Sequence, residues 1–175
     1  DYEGAFNASE HLIRQGYKKI MQVAGSKFLS ITKSRLNGYL DALKKYNIPV
    51  RKEWMVHFQF NSANNEKVIQ KLLRAKIKPD AILAATEQMT TLCLKVVKEM
   101  NLNIPGEIAL VGFSDNPVNK YLSPPLTSVF HPPFDIGQHA AELLIELIES
   151  KKAVTDYKII ELETVLDIQA SSLKK

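Results

Sequence analysis

Two short apolar runs, residues 82–85 and 108–111, are each followed within a few residues by a hydroxyl, Thr86 and Ser114. Neither run alternates, which is the pattern of parallel strands covered on both faces. In sheets of that kind ligands sit beyond the carboxyl ends of the strands, so Thr86 and Ser114 are positioned to hydrogen-bond a small molecule. Arg35 falls early in a helical stretch, after the loop that closes another apolar run at residues 20–24. A guanidinium there can donate to ligand hydroxyls or to a carboxylate, although an exposed surface arginine is the ordinary alternative. Phe60 ends a third extended run, residues 54–60, and is either core or a stacking face for a ring. His131 follows a strand end and precedes a proline pair, whereas His11 and His139 fall within helical patterns and read as surface or partly packed.

A reaction centre is not legible. No glycine-rich dinucleotide or phosphate loop follows a strand, and Gly112-Phe113-Ser114-Asp115-Asn116 lacks the second glycine of a nucleophile elbow. The four histidines are not at metal-ligand spacings. An Asp-His-Ser set can be assembled from scattered residues, but nothing local supports one. The absences disfavour an enzyme, imply no cofactor and no metal, and leave a binding module.

The elements that must position these groups follow in order. Ala5, Ala8, Leu12 and Ile13, with Phe6 beside them, outline a first helix stopped by Gly16. After the strand at 20–24 a loop is expected through Ile31. The next helix should point Leu36, Leu40 and Leu43 inward, with Tyr39 close to that face. Asn61 or Ser62 can cap a helix whose inner face is Val68, Ile69, Leu72 and Leu73. Thr86 stands as an N-cap with Glu87 in the first turn, where negative charge suits the helix dipole. Met89, Cys93, Val96, Val97 and Met100 then form one apolar helical face. A long helix over 135–150 carries Ile136, Ala140, Leu143, Leu144 and Leu147. Two more alternating segments, 157–163 and 165–168, read as edge or return strands. The alternation of helices and strands predicts an α/β layer structure with a mainly parallel sheet and right-handed crossovers.

Composition sets the limits. The 175 residues are 45% hydrophobic and 24% charged, as in a soluble domain. No apolar run approaches the roughly 20 residues of a membrane helix. The single cysteine, Cys93, excludes an internal disulfide, is expected to be a buried inert thiol, and suits a reducing cytoplasm. The net charge of +4 comes from scattered lysines and arginines with no basic face, so the chain alone is not expected to bind DNA tightly. It begins without Met, nearly inside a helix, as a piece of a longer protein would.

The motifs together resemble the lactose/galactose-repressor (LacI/GalR) family of bacterial transcription regulators. They are Gly4-Ala5, His11-Leu12-Ile13, Gly16-Tyr17, Val23-Ala24-Gly25 and Arg35-Leu36-Asn37-Gly38-Tyr39, then Pro79-Asp80-Ala81-Ile82, Gln88-Met89 and Ile104-Pro105. Ile108 to Phe113, Pro124-Pro125-Leu126-Thr127-Ser128-Val129 and the segment 137–144 complete the set. The resemblance implies a Rossmann-like three-layer fold of the type I periplasmic-binding-protein kind. Residues 1–129 would be the C-terminal effector-binding subdomain and 130–157 a crossover and helix belonging to the N-terminal subdomain. Residues 158–175 would return to the first subdomain, and the DNA-binding head would lie outside the chain. The long helix, without its family partner, is expected to pack on another surface or another copy of the chain.

By the same resemblance Arg35 matches the arginine that grips the effector and Phe60 the aromatic that lies against a sugar or base. Thr86 stands where many members have Asn, before Glu87 in place of Asp. Ser114 replaces the usual effector-binding Asp, His131 takes a polar cleft position, and Ile31 replaces a polar loop residue. The loss of Asp at 114 would leave Arg35 unbalanced and favour a negatively charged effector, unless Glu87 or Asp115 supplies the carboxylate. The resemblance implies a ligand-sensing domain for a sugar, sugar phosphate or nucleobase-like effector. Such a protein is cytoplasmic and homodimeric, and reaches operator DNA only through the missing head. A fragment of a periplasmic sugar-binding protein is the alternative.

Overall fold

A computed structural model describes residues 1–58, 64–150 and 157–174. Its centre is a six-stranded sheet: β1 (Ile20–Ala24), β2 (Met55–His57), β3 (Ala81–Ala84), β4 (Ala109–Phe113), β5 (Thr127–Phe130) and β6 (Val165–Asp167). The strand order is β2-β1-β3-β4-β5-β6. The first five are parallel and β6 closes the edge antiparallel to β5, with Ser128 opposite Asp167. Every residue of β1, β3 and β4 is buried, which explains their unbroken apolar runs.

Successive residues of these strands serve opposite faces. Ile20, Leu83, Val111 and Val129 join Ala5, Ala8, Leu12, Tyr39 and Leu43 in one core cluster. That cluster covers α1 (Tyr2–Arg14) and α2 (Ser30–Lys45). Met21, Val23, Ile82 and Leu110 join Ile69, Leu73, Met89, Cys93, Val96 and Val97 in the other, beneath α3 (Asn65–Leu73) and α4 (Glu87–Glu99). This is the expected three-layer α/β fold. Cys93 is fully buried, and burial pushes its thiol up to about 12.

Several boundaries differ from expectation. The second helix begins at Ser30, so Ile31 is helical and not in a loop. Its inward stripe is Thr32, Arg35, Gly38, Tyr39, Ala42 and Leu43, leaving Leu36 and Leu40 half-buried. The cause is a close helix crossing. A Cβ at Gly38 would meet the Tyr2 carbonyl at 2.2 Å and the Phe6 nitrogen at 2.9 Å, so α1 lies directly against α2 there. Trp54 belongs to a 3-10 turn, Lys52–Trp54, and the strand after it ends at His57. Phe60, Asn61 and Ser62 lie outside the described residues, and α3 starts after Asn64. Val68 is on its exposed side. Residues 157–164 form no strand, so the return pairs only through β6.

His11 is buried, not superficial. Its Nε2 lies 2.7 Å from Ser172 Oγ, which lies 2.6 Å from Thr127 Oγ1. Ser171 continues the fastening: its hydroxyl donates to the Leu110 carbonyl at 2.6 Å and accepts from Thr127 N at 2.8 Å. These bonds tie the C-terminal segment to the amino ends of β4 and β5.

The last helix, α5 (Pro133–Ser150), buries none of its residues. Phe134, Leu144, Ile145 and Ile148 are more than half exposed. Within the described chain the helix is only edged by the returning segment: Lys158 Nζ donates to Glu146 at 3.1 Å, and Ile136, Leu143 and Leu162 border a shared cavity.

Two predictions follow from this packing. Gly38→Ala forces a methyl group against backbone atoms of α1 and is expected to cost about 2–3 kcal/mol in denaturant unfolding. Burial holds the His11 imidazole below its ordinary value of 6.5. Its neutral form therefore stabilises the fold fully above that value, and the contribution is lost as pH falls towards the lowered folded one. Unfolding free energies measured from pH 7.5 downwards should decline, and His11→Gln should flatten that decline.

Candidate ligand-binding cleft

The order β2-β1-β3-β4-β5 reverses direction between β1 and β3, and at such a switch point the carboxyl ends of the strands open a crevice. A cleft of about 680 Å³ lies there, lined by Ile31, Arg35, Thr86, Glu87, Phe113, Ser114, Asp115, Asn116, Pro117 and His131. Seven of the eight residues singled out from the sequence are in this wall, and the eighth, Phe60, is outside the described residues. The second helix brings Ile31 and Arg35, the end of β3 brings Thr86 and Glu87, and the loop after β4 brings Ser114 and Asp115. His131 follows β5.

Arg35 is the centre of the wall. It is only 5% exposed, and burial pushes its guanidinium down to about 10, with Asp115 opposing; it is still a cation at neutral pH. A charge so buried needs partners. Nε and Nη2 donate to Asp1 Oδ1 at 2.9 and 2.7 Å, and Nη1 donates to the Ala85 carbonyl. The guanidinium also stacks 4.0 Å above the Phe113 ring. Behind it, Gln22 Nε2 donates to the Arg35 carbonyl at 3.2 Å. The expectation of an unbalanced Arg35 is thus corrected. A carboxylate does meet it: Asp1 takes the hydrogen bonds, and Asp115, one of the two carboxylates the sequence offered, adds its charge.

His131 Nε2 lies 2.8 Å from Arg35 Nη2. Arginine only donates, so Nε2 must be an unprotonated acceptor. Partial burial and the Arg35 charge hold the imidazole below its ordinary value, with Asp115 working the other way. Geometry and electrostatics therefore agree on a neutral ring with its proton on Nδ1, which faces Asp115 Oδ1 at 3.5 Å. Asp115 Oδ1 also accepts from the His131 backbone N–H at 2.6 Å. This Asp-His pair cannot activate Ser114, because the basic nitrogen is spent on Arg35. The Ser114 hydroxyl is itself buried and accepts from Asn119 Nδ2 at 2.7 Å. Ser114 thus braces the loop more than it faces the cleft.

Thr86 caps α4 as expected, its Oγ1 accepting from Met89 N at 3.2 Å. Glu87 is exposed in the first turn, and Ile31 offers an apolar edge at the rim. Three participants escaped the sequence reading. Phe113 reads as the last residue of an apolar strand, the Ala85 carbonyl has no side-chain signal, and Asp1 sits 34 residues from its partner. Only the acidic character of the helix start could have pointed to Asp1.

A larger cavity of about 850 Å³ involves Leu94, Lys95, Leu102, Ile104, Leu122 and Pro124. Segments leading into β4 and β5 build much of it, so it opens away from the strand ends where Arg35 lies. Among the described residues no group of metal-ligating side chains converges, and no helix is long and apolar enough to cross a membrane.

The periplasmic binding protein-like domain model matches residues 9–171. The HTH-type transcriptional repressor PurR of Aliivibrio salmonicida (strain LFI1238) is 30% identical over 149 residues, covering 85% of this chain and 45% of the relative. The chain spans about half the length of the curated relatives it matches. Among solved structures, a regulatory protein of the LacI family from Chloroflexus aggregans superimposes with a TM-score of 0.85 at 28% identity, over 98% of this chain and 61% of the other. The transcriptional regulator CelR in complex with cellobiose gives 0.86 at 28% identity, over 97% and 51%. With a family model that spans nearly the whole chain and the LacI/GalR sequence marks from Gly4 to residue 144, the chain belongs to the periplasmic binding protein-like domain family in its LacI/GalR form.

Proposed function

We propose that this chain is the ligand-sensing part of a bacterial transcription regulator, with the cleft around Arg35 as its effector site. The observation that carries the reading is the convergence of Arg35, Thr86, Glu87, Asp115 and His131 on one crevice at the switch point of the sheet. The repressor relatives support the regulatory role, and the cellobiose complex of a similar regulator supports a sugar-type ligand. Residues 1–129 act as the effector-binding subdomain. Residues 130–157 cross into a second subdomain, which covers the apolar face of α5, and 158–175 return. Operator binding belongs to a head outside this chain, and the working unit is a homodimer.

The wall suits a switch. His131 is followed by Pro132 and Pro133, and α5 starts at the second proline. Asp1 opens α1, and both residues also border a cavity of about 460 Å³ between α5 and the returning segment. A ligand that touches His131 therefore acts at the crossover itself. It can bias the angle between subdomains only through a difference in affinity for the two arrangements.

The test is thermal unfolding of the full-length protein with sugars, sugar phosphates and nucleobases, repeated with Asp115→Asn and Arg35→Lys. A true effector stabilises the native state by about 2.7 kcal/mol at a hundredfold excess over its dissociation constant. Both substitutions are expected to weaken it by about tenfold or more. A stabilising ligand untouched by either change places the effector site elsewhere.

A further inference from the structure

The geometry points to Asp1 as a specificity-determining residue: its carboxylate occupies the face of Arg35 that would otherwise grip an anion, so the cleft takes uncharged, hydroxyl-bearing ligands and turns away phosphates and carboxylates. The inference rests on this cleft being the ligand site, and it specifies the ligand's charge.

A guanidinium has five N–H groups, and its strongest use is the two-pronged clasp of a carboxylate or phosphate. In Arg35 the Nε–Nη2 edge suited to that clasp is taken by Asp1 Oδ1. The second Nη2 hydrogen faces His131 Nε2, and one Nη1 hydrogen goes to the Ala85 carbonyl. One Nη1–H is left without a partner among the described residues. A single donor serves a hydroxyl or ring oxygen but cannot clamp an anion.

The remaining charges act in the same direction. Among the described residues Arg35 is the only lysine or arginine in the wall, against Glu87 and Asp115, with Asp1 as a third carboxylate on its far side. An entering phosphate would face Glu87 and Asp115 while Asp1 offsets the Arg35 charge from behind, whereas sugar hydroxyls can donate to the two carboxylates in the wall. Asp115 lines the same cleft, and its carboxylate can accept such a donor. Asp1 is also the replaceable member of the pair, since its side chain is 38% exposed while that of Arg35 is 6% exposed.

The experiment is calorimetric titration with inorganic phosphate of the wild-type protein, Asp1→Asn, Asp1→Ala, and Asp1→Asn combined with Arg35→Gln. The same proteins are titrated with a panel of uncharged mono- and disaccharides that includes cellobiose. The wild type should show no saturable phosphate binding. Asp1→Asn removes the charge but keeps an acceptor, Asp1→Ala vacates the edge, and each should gain phosphate affinity by at least about tenfold. The gain should vanish when Arg35 is also replaced. Phosphate binding by the wild type as tight as by the variants, or no gain in either variant, overturns the inference. A gain without any sugar binding to the wild type upholds Asp1's role and sinks the sugar-sensor reading; sugar binding without a gain does the reverse.

Discussion

The structure depends on burying one guanidinium. A cation as enclosed as Arg35 is tolerable only where hydrogen bonds and opposite charge replace the water it gives up. The groups that replace it come from different parts of the chain. Asp1 arrives from the start of α1, the Ala85 carbonyl from the end of β3, the Phe113 ring from β4 and His131 from beyond β5. All of them meet only if the parallel sheet is in register and α1 crosses α2 at contact distance. Gly38 sets that distance, because any side chain there would push away the turn that carries Asp1. The core cluster under α1 and α2 and the polar wall of the cleft are therefore two sides of one constraint.

The same interaction decides what the cleft can do. With Arg35 donating to Nε2, His131 is held neutral and is not available as a general base. Ser114 is held by Asn119, so proximity to an Asp-His pair does not make it a nucleophile. The groups that remain directed at the cleft are one guanidinium N–H, a cap threonine and two carboxylates. They are suited to hydrogen-bonding a ligand and not to breaking a bond in it.

Much of this was legible in the sequence because the signals are local. Unbroken apolar runs mark strands buried on both faces, and Thr86 before an apolar helical stripe marks a cap that the structure shows. The positions of Arg35, Thr86, Glu87, Ser114, Asp115 and His131 after successive runs were enough to place them at one edge of the sheet. What was not legible depends on tertiary contacts. A leucine count points α2 at Leu36, Leu40 and Leu43, which do pack on the core, but nothing in it shows that the most buried stripe also carries Arg35. His11 reads as surface or partly packed, since the hydroxyl that partners it belongs to Ser172, 161 positions away. Asp1 has no motif at all, and its role follows only from where α1 crosses α2.

The position of these contacts also bears on how a ligand signal leaves the cleft. Coupling between sites needs an element with two arrangements that the ligand distinguishes. Arg35, Thr86 and Ser114 are held by bonds to the ends of β3, α4 and the loop after β4. Asp1 and His131 differ: each is only partly buried and each contacts Arg35. A ligand that displaces the Arg35 guanidinium alters its bonds to Asp1 and His131 together. Typical allosteric couplings are about 1–3 kcal/mol, the size of one or two charge-assisted hydrogen bonds. Under the proposed role, the bonds of Arg35 to Asp1 and His131 are of the size such a coupling needs. Under the same role, the exposed apolar residues of α5, which begins two residues beyond His131, are the surface next to those contacts.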